Sequence, residues 1–178
     1  RNLPVSDGLD IAQRCGVLTF GTNRGELAWA IRRGDDLLEW RRMDGKKWKH
    51  GGKSDSWVGR PGAKRRLVGS HLLGEYENVM MTEGGPDFIS AFVALEIEGA
   101  VAEWGIVGLV GSHPLDPEDV ELLSGRRVRI AAHDENDFKA THTWKGQLRS
   151  VGCKVEPLDL EGKDLDEWVA AGWEVFHG

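Results

Sequence analysis

Carboxylates stand at two places where a short apolar run gives way to a polar turn. In "VMMTEGGPDFISAFVALEI" (79–97), Glu83 ends one run, two glycines and a proline turn the chain, and Asp87 opens the next. In "AAHDENDFKA" (131–140), Asp134 follows another apolar run, with Glu135, Asn136 and Asp137 close behind. If the two runs are neighbouring strands, Glu83, Asp87, Asp134 and one of Asn136 or Asp137 converge at one edge. Carboxylates gathered this closely repel unless a cation neutralises them. Hard oxygen donors suit Mg²⁺ or Mn²⁺, which keep several waters and bind through few carboxylates. The chemistry to expect is phosphoryl or nucleotidyl transfer, with the cation stabilising an in-line displacement. The same acids have a plainer use. An acid after a strand is often a helix N-cap or a first-turn charge favoured by the macrodipole, and Asp87 and Asp137 fit that role.

The elements that must position these residues fall into two styles. From Gly16 to Trp48 the chain reads as short strands and tight turns: "GVLTF", "ELAWAIRR" and "DLLEWRRM", with Gly34-Asp35 and Asp44-Gly45 as turn signals. Residues 46–70 are basic and rich in Gly and Trp, and are expected as long loops with one short strand at Arg66–Val68. From Glu77 strands and helices alternate. "NVMMT", "GIVGLVG", "RVRIAA" and "CKVEPL" are expected strands. Helices are expected over 87–98, after Asp116 as N-cap with Pro117 at the first position, over 137–152, and over 164–172. This alternation predicts a mostly parallel sheet covered on both faces. Functional groups in such sheets collect where strands end and helices begin. The expected division is a basic β-rich subdomain over residues 1–74 and an α/β domain over 75–178.

Charge is unevenly spread over the 178 residues. The net charge is −6, yet residues 32–66 hold 12 Lys and Arg against 5 Asp and Glu, and the remainder holds 11 against 24. A basic segment on an acidic body can meet a phosphate backbone locally; a solvated basic loop is the alternative. Trp40, Trp48 and Trp57 interleave with the cations and can stack on single-stranded bases, or simply cover core. His133, beside Asp134, is expected as a hydrogen-bonded structural residue, and Lys139 faces the cleft from the following helix. Two distant cysteines, Cys15 and Cys153, make neither a disulfide framework nor a zinc site. No apolar run reaches membrane-spanning length and no secretory leader is visible, so no membrane and a cytoplasmic location are expected. The chain opens on Arg1, and a fragment of a longer protein is expected.

Set together, these segments resemble a known family. "MMTEGGPDFISAF" looks like the E-G-x-x-D motif of the Toprim domain, which bacterial DnaG-type primases share with topoisomerases, RecR-type recombination proteins and OLD-family nucleases. "IAAHDENDFKA" stands where that family carries its D-x-D motif. "GKDLDEWVAAG" (162–172) resembles the tail of phage and plasmid primases and primase-helicases, and "WRRMDGKKW" with "KSDSWVGRPGAKRRLVGS" resembles their upstream signature. The resemblance covers roughly residues 17–172. It implies a Toprim-like (Rossmann-like) mostly parallel sheet flanked by helices, with a small, mainly antiparallel N-terminal β subdomain. It implies DNA primase activity: metal-dependent synthesis of RNA primers on single-stranded DNA. The implied partners are the template, nucleoside triphosphates and a replicative helicase domain or subunit, in a phage or mobile element. Glu83, Asp87 and Asp134 take the catalytic places, and Mg²⁺ or Mn²⁺ is held by Glu83, Asp134, Asn136 and Asp137. Asn136 is a departure, because an acid belongs in that register. Arg41, Arg42, Lys46, Lys47, Lys53, Lys64, Arg65 and Arg66 are placed for nucleic acid, and Lys139 and Lys163 for phosphate. A Toprim nuclease and a non-catalytic nucleic-acid-binding module are the alternatives.

Overall fold

The computed structural model describes residues 18–33, 37–48, 56–58, 66–111, 113–131, 134–158, 160 and 165–170, with positions 10, 13 and 16. For 134–140, only the backbone is described.

Two sheets organise the chain. The first is antiparallel in the order β1 (Leu18–Asn23), β2 (Glu26–Arg33), β3 (Leu37–Arg42), β4 (Ser56–Val58). Its first hairpin closes through Arg24-Gly25, a two-residue connection that suits strand twist. Register sets Leu18 opposite Ile31 and Ile31 opposite Glu39, so these three side chains share one face. Strand β4 lies inside the stretch expected to be loop; it pairs Trp57 with Trp40 on the free edge of β3.

The second sheet is parallel, with strand order β6-β5-β7-β8: β5 (Asn78–Glu83), β6 (Trp104–Leu109), β7 (Arg127–Ala131) and β8 (Lys154–Pro157). The helices are α1 (Gly84–Ile97), α2 (Pro117–Leu122), α3 (Asp134–Ser150) and α4 (Leu165–Ala170). The inner strands read as unbroken apolar runs because both faces are covered. Met80 and Ile106 pack beneath Phe88, Ile89 and Phe92 of α1 and Leu165 and Trp168 of α4. On the other face Val79, Met81, Val107 and Ile130 pack against Val120 of α2 and Trp144 and Leu148 of α3. Leu18 and Ile31 of the antiparallel sheet join the α1 side of this core.

Three boundaries differ from expectation for local reasons. Helix α1 starts at Gly84 rather than Asp87, because Pro86 fits a first turn, where no N–H is needed. Helix α3 starts at Asp134 rather than Asp137. The strand expected at 66–68 is a single antiparallel bridge, Val68 to Gly108 on the edge of β6. Leu67, Val68 and Leu73 are buried there, so this stretch completes the core of the parallel sheet. Helix α2 is as expected: Asp116 accepts the Glu118 N–H at 3.0 Å and Pro117 opens the helix. Among the described residues no helix is long and apolar enough to cross a membrane.

Candidate active site

The parallel sheet creates a crevice between β5 and β7. These strands are neighbours, with Thr82 paired to Ala131. The chain leaving β5 enters α1 on one face, and the chain leaving β7 enters α3 on the other. Strand order reverses at this point, and open α/β sheets bind ligands in such a crevice, beyond the carboxyl ends of the strands. Glu83 is one residue beyond Thr82, and Asp134 three beyond Ala131. Adjacent strands lie about 4.8 Å apart, so topology brings the two acids to one edge. The N-termini of α1 and α3, both more than three turns long, open toward the same edge, and their dipoles favour phosphate oxygens there.

Glu83 is the last residue of β5 and the N-cap of α1, with extended backbone (φ −104°, ψ 123°) and no side-chain capping bond to its own helix. Gly84 follows at φ 77°, a left-handed conformation that disfavours any Cβ. Asp87, one turn into α1, is buried, and its Oδ1 accepts the Asp166 N–H at 3.3 Å. It therefore caps α4, the helix of the "KDLDEW" tail. Asp134, Asn136 and Asp137 occupy the first turn of α3.

A residue that sequence reasoning passed over lies beneath the turn. Glu39 of β3 is 2% exposed, and its Oε1 accepts from Arg41 Nε at 3.0 Å. A Cβ on Gly85 would lie 2.8 Å from Ile31 Cδ1 and 3.0 Å from Glu39 Oε2, so the antiparallel sheet touches the first turn of α1 with no side chain between them. Burial pushes the Glu39 carboxyl up, opposed by the Arg41 guanidinium, and its Oε2 is buried with no hydrogen-bond partner among the described residues. The signal was present in the pattern: in the β2–β3 hairpin, Glu39 faces the same side as Ile31, an acid at an apolar register.

The basic residues divide by what holds them. Arg42 is buried and bridges Glu26 (3.0 Å) and Asp44 (2.6 Å). Its hydrogen bond holds the Asp44 carboxyl well below the usual range. Arg66 grips the buried Asp119 at 2.8 Å and also pairs with Glu118. Both guanidiniums are committed to the fold. Arg41 stays half-buried beside Glu39, and Lys46 and Lys47 are exposed on the turn after β3. Lys53, Lys64, Arg65, Lys163 and His133 lie outside the described residues, as do the side chains of Trp57 and Lys139. Trp48 is buried and donates to the Trp40 carbonyl at 3.3 Å, so it covers core rather than offering a stacking face.

By residue type, Glu83, Asp134, Asn136 and Asp137 at this edge are oxygen donors of the kind a hard divalent cation takes. Among the described residues, no three of His, Cys, Asp or Glu gather as a metal cluster; the side chains of 134–137 lie outside that set.

No family model matches the chain, and no curated protein matches it significantly. Solved structures do. The primase fragment of the bacteriophage T7 primase-helicase protein superposes with a TM-score of 0.63 at 16% identity, over 90% of this chain and 64% of that one. A chain from the structure of T7 lagging-strand DNA polymerase interacting with primase domains of two gp4 subunits, bound to an RNA/DNA hybrid and dTTP, also scores 0.63 at 16% identity. That match covers 92% of this chain and 80% of the other. The chain shares the fold of these two structures, and it spans just under two thirds of the first.

Proposed function

We propose that this chain is the catalytic core of a DNA primase, joining ribonucleotides on single-stranded DNA with Mg²⁺ or Mn²⁺. The observation that supports this reading is the strand topology: β5, which ends at Glu83, and β7, three residues before Asp134, are neighbours at the switch point of a fold like that of a primase fragment. Glu83 and Asp134, with Asn136 or Asp137, would hold the cation. When bound, it would neutralise the incoming triphosphate and stabilise charge on the leaving group. The N-termini of α1 and α3 orient phosphate oxygens toward the same edge. Asp87 sets the tail helix against α1 by accepting the Asp166 N–H. Arg41, Lys46 and Lys47 supply cations on the antiparallel sheet, where a template backbone gains affinity by releasing counterions.

Primer synthesis on single-stranded DNA with Mg²⁺ and ribonucleotides, assayed for the protein and for Glu83→Gln, tests this. Templated oligoribonucleotides from the wild type and at least a 100-fold loss in the variant support it. Cleavage of the template without synthesis would instead make the site a nuclease. An unchanged rate in the variant would remove Glu83 from the reaction.

A further inference from the structure

Apolar side chains left open on the antiparallel sheet gather on one of its faces. Phe20 is 43% exposed, Leu27 71% and Met43 53%. Register orders this face in rows that run across the strands. The inner row, Leu18, Ile31 and Glu39, is buried, and Ile31 and Glu39 lie against Gly85. The middle row is Phe20, Trp29 and Arg41. Alternation brings Leu27 and Met43 to the outer row, where the Met43 N–H donates to the Leu27 carbonyl at 2.9 Å. Trp29 and Arg41 are half-buried, and Trp29 packs against the core. A grouped, open apolar face marks an interaction site, whereas single exposed apolar residues need no explanation.

The surroundings of the rings indicate the partner. Neighbouring strands lie about 4.8 Å apart, so the middle row sets two rings and a guanidinium across about 10 Å. Arg41 is held at the end of this row by its Nε bond to Glu39 Oε1. Lys46 and Lys47 stand exposed on the turn after β3. Among the described side chains of this face the one acid, Glu39, is buried. A second protein chain could cover Leu27 and Met43, but it has no general need of the cations. A polynucleotide uses both, because bases stack on rings and guanidinium planes while phosphates meet lysines. Only unpaired bases expose their faces for stacking, so the strand is single.

We infer that the Phe20–Trp29–Arg41 row is a stacking platform for unpaired bases of single-stranded DNA, one row outward from the residues that touch the Gly85 turn. The inference rests on the reading of this chain as one that works along single-stranded DNA, and adds base contacts to the backbone contacts given to Lys46 and Lys47. Every base has a π-face, so such a platform grips the strand without choosing its sequence.

The test measures binding alone, without divalent cation or nucleotides. Fluorescence anisotropy compares the wild type with Phe20→Leu, Phe20→Tyr and Trp29→Leu on two strands of about 15 nucleotides, an oligothymidylate and an abasic strand with the same phosphates. The wild type should bind the oligothymidylate at least about fivefold tighter, the low end of one stacking contact. Phe20→Leu keeps an apolar side chain without the ring. It should lose about fivefold on the oligothymidylate and keep both abasic binding and the salt slope. Phe20→Tyr keeps the ring and should stay within about twofold of wild type. Trp29→Leu should match Phe20→Leu if thermal melting shows it folded; otherwise the Phe20 variants decide. Equal affinity of the wild type for the two strands, or binding to neither, overturns the inference. So does a Phe20→Leu protein within about twofold of wild type on the oligothymidylate. A Phe20→Leu protein that changes from dimer to monomer in sedimentation with DNA binding intact gives the face to a second copy and overturns it too. Tighter binding of an oligouridylate of the same length assigns the row to RNA, against the inference. Primer synthesis is assayed separately: its absence, with base-dependent binding intact, removes the primase reading and leaves the platform.

Discussion

Arg66 stands in a basic stretch that invites a nucleic-acid role, and the structure makes a different prediction for it. Its Nε donates to Asp119 Oδ1 at 2.8 Å, while Asp119 Oδ2 accepts the Leu67 N–H at 3.0 Å. Asp119 is completely buried, whereas Arg66 is 33% exposed. The Asp119 carboxylate also raises the Arg66 guanidinium further above its usual range, holding it charged. Replacing Arg66 with Gln leaves a buried carboxylate with only its backbone partner. Breaking a buried pair costs about 3–5 kcal/mol, and the exposure of Arg66 reduces this to about 2–3 kcal/mol. The exposed arm to Glu118 adds little. In a protein of this size the melting temperature should fall by about 5–10 °C. Single-stranded DNA affinity, measured on the folded protein by anisotropy over a salt series, should keep its slope. The double variant Lys46→Gln/Lys47→Gln should do the reverse. Lys46 is 76% exposed with only a 3.8 Å contact to Asp44, so melting should be unchanged while the salt slope falls by about 1.4. If Arg66→Gln melts normally and flattens the salt slope by a full phosphate contact, the assignment of Arg66 to the fold is wrong.

Two further outcomes follow from buried acids. Asp87→Ala strands the Asp166 N–H and should cost about 1–3 kcal/mol by urea unfolding, whereas Asp87→Asn keeps an acceptor and should cost under about 1 kcal/mol; a loss of Mn²⁺ affinity in Asp87→Asn at intact stability would add a ligand role to the cap. Glu98, at the end of α1, is 16% exposed, and burial pushes its carboxyl up to about 7, only partly opposed by Arg129 at 4.0 Å. The folded state then binds this proton more tightly than the unfolded chain, so stability is full below about pH 4.5 and is lost as pH rises through about 7. Wild type compared with Glu98→Gln by denaturant unfolding should lose about 2–3 kcal/mol between pH 4.5 and 8; a difference independent of pH would refute the shift.

Much of the parallel sheet was legible because each strand is buried on both faces and reads as an apolar run, and because Asp116-Pro117 and Gly125 punctuate α2 by local chemistry alone. Helix starts at Gly84 and Asp134 were not, since a glycine pair and an acid-rich turn look like loop until tertiary packing selects the helix. Strand β4 was hidden for a related reason: three residues paired on an edge carry no period of their own. Glu83 and Asp134 could be singled out from strand-end positions. The role of Arg66 could not, because its partner Asp119 lies 53 residues away and leaves no mark on local spacing. Glu39 lies between these cases: its register exposes the anomaly, while its closeness to Gly85 is visible only in the fold.

The central claim is that Glu83 and Asp134 act as one cation site. An Mn²⁺ EPR titration of wild type, Glu83→Gln, Asp134→Asn and the double variant measures this directly. Shared ligation predicts millimolar or tighter binding to the wild type, at least a tenfold loss in either single variant, and little further loss in the double. Wild-type protein that leaves Mn²⁺ unbound at millimolar concentration, or losses that simply add, would contradict it.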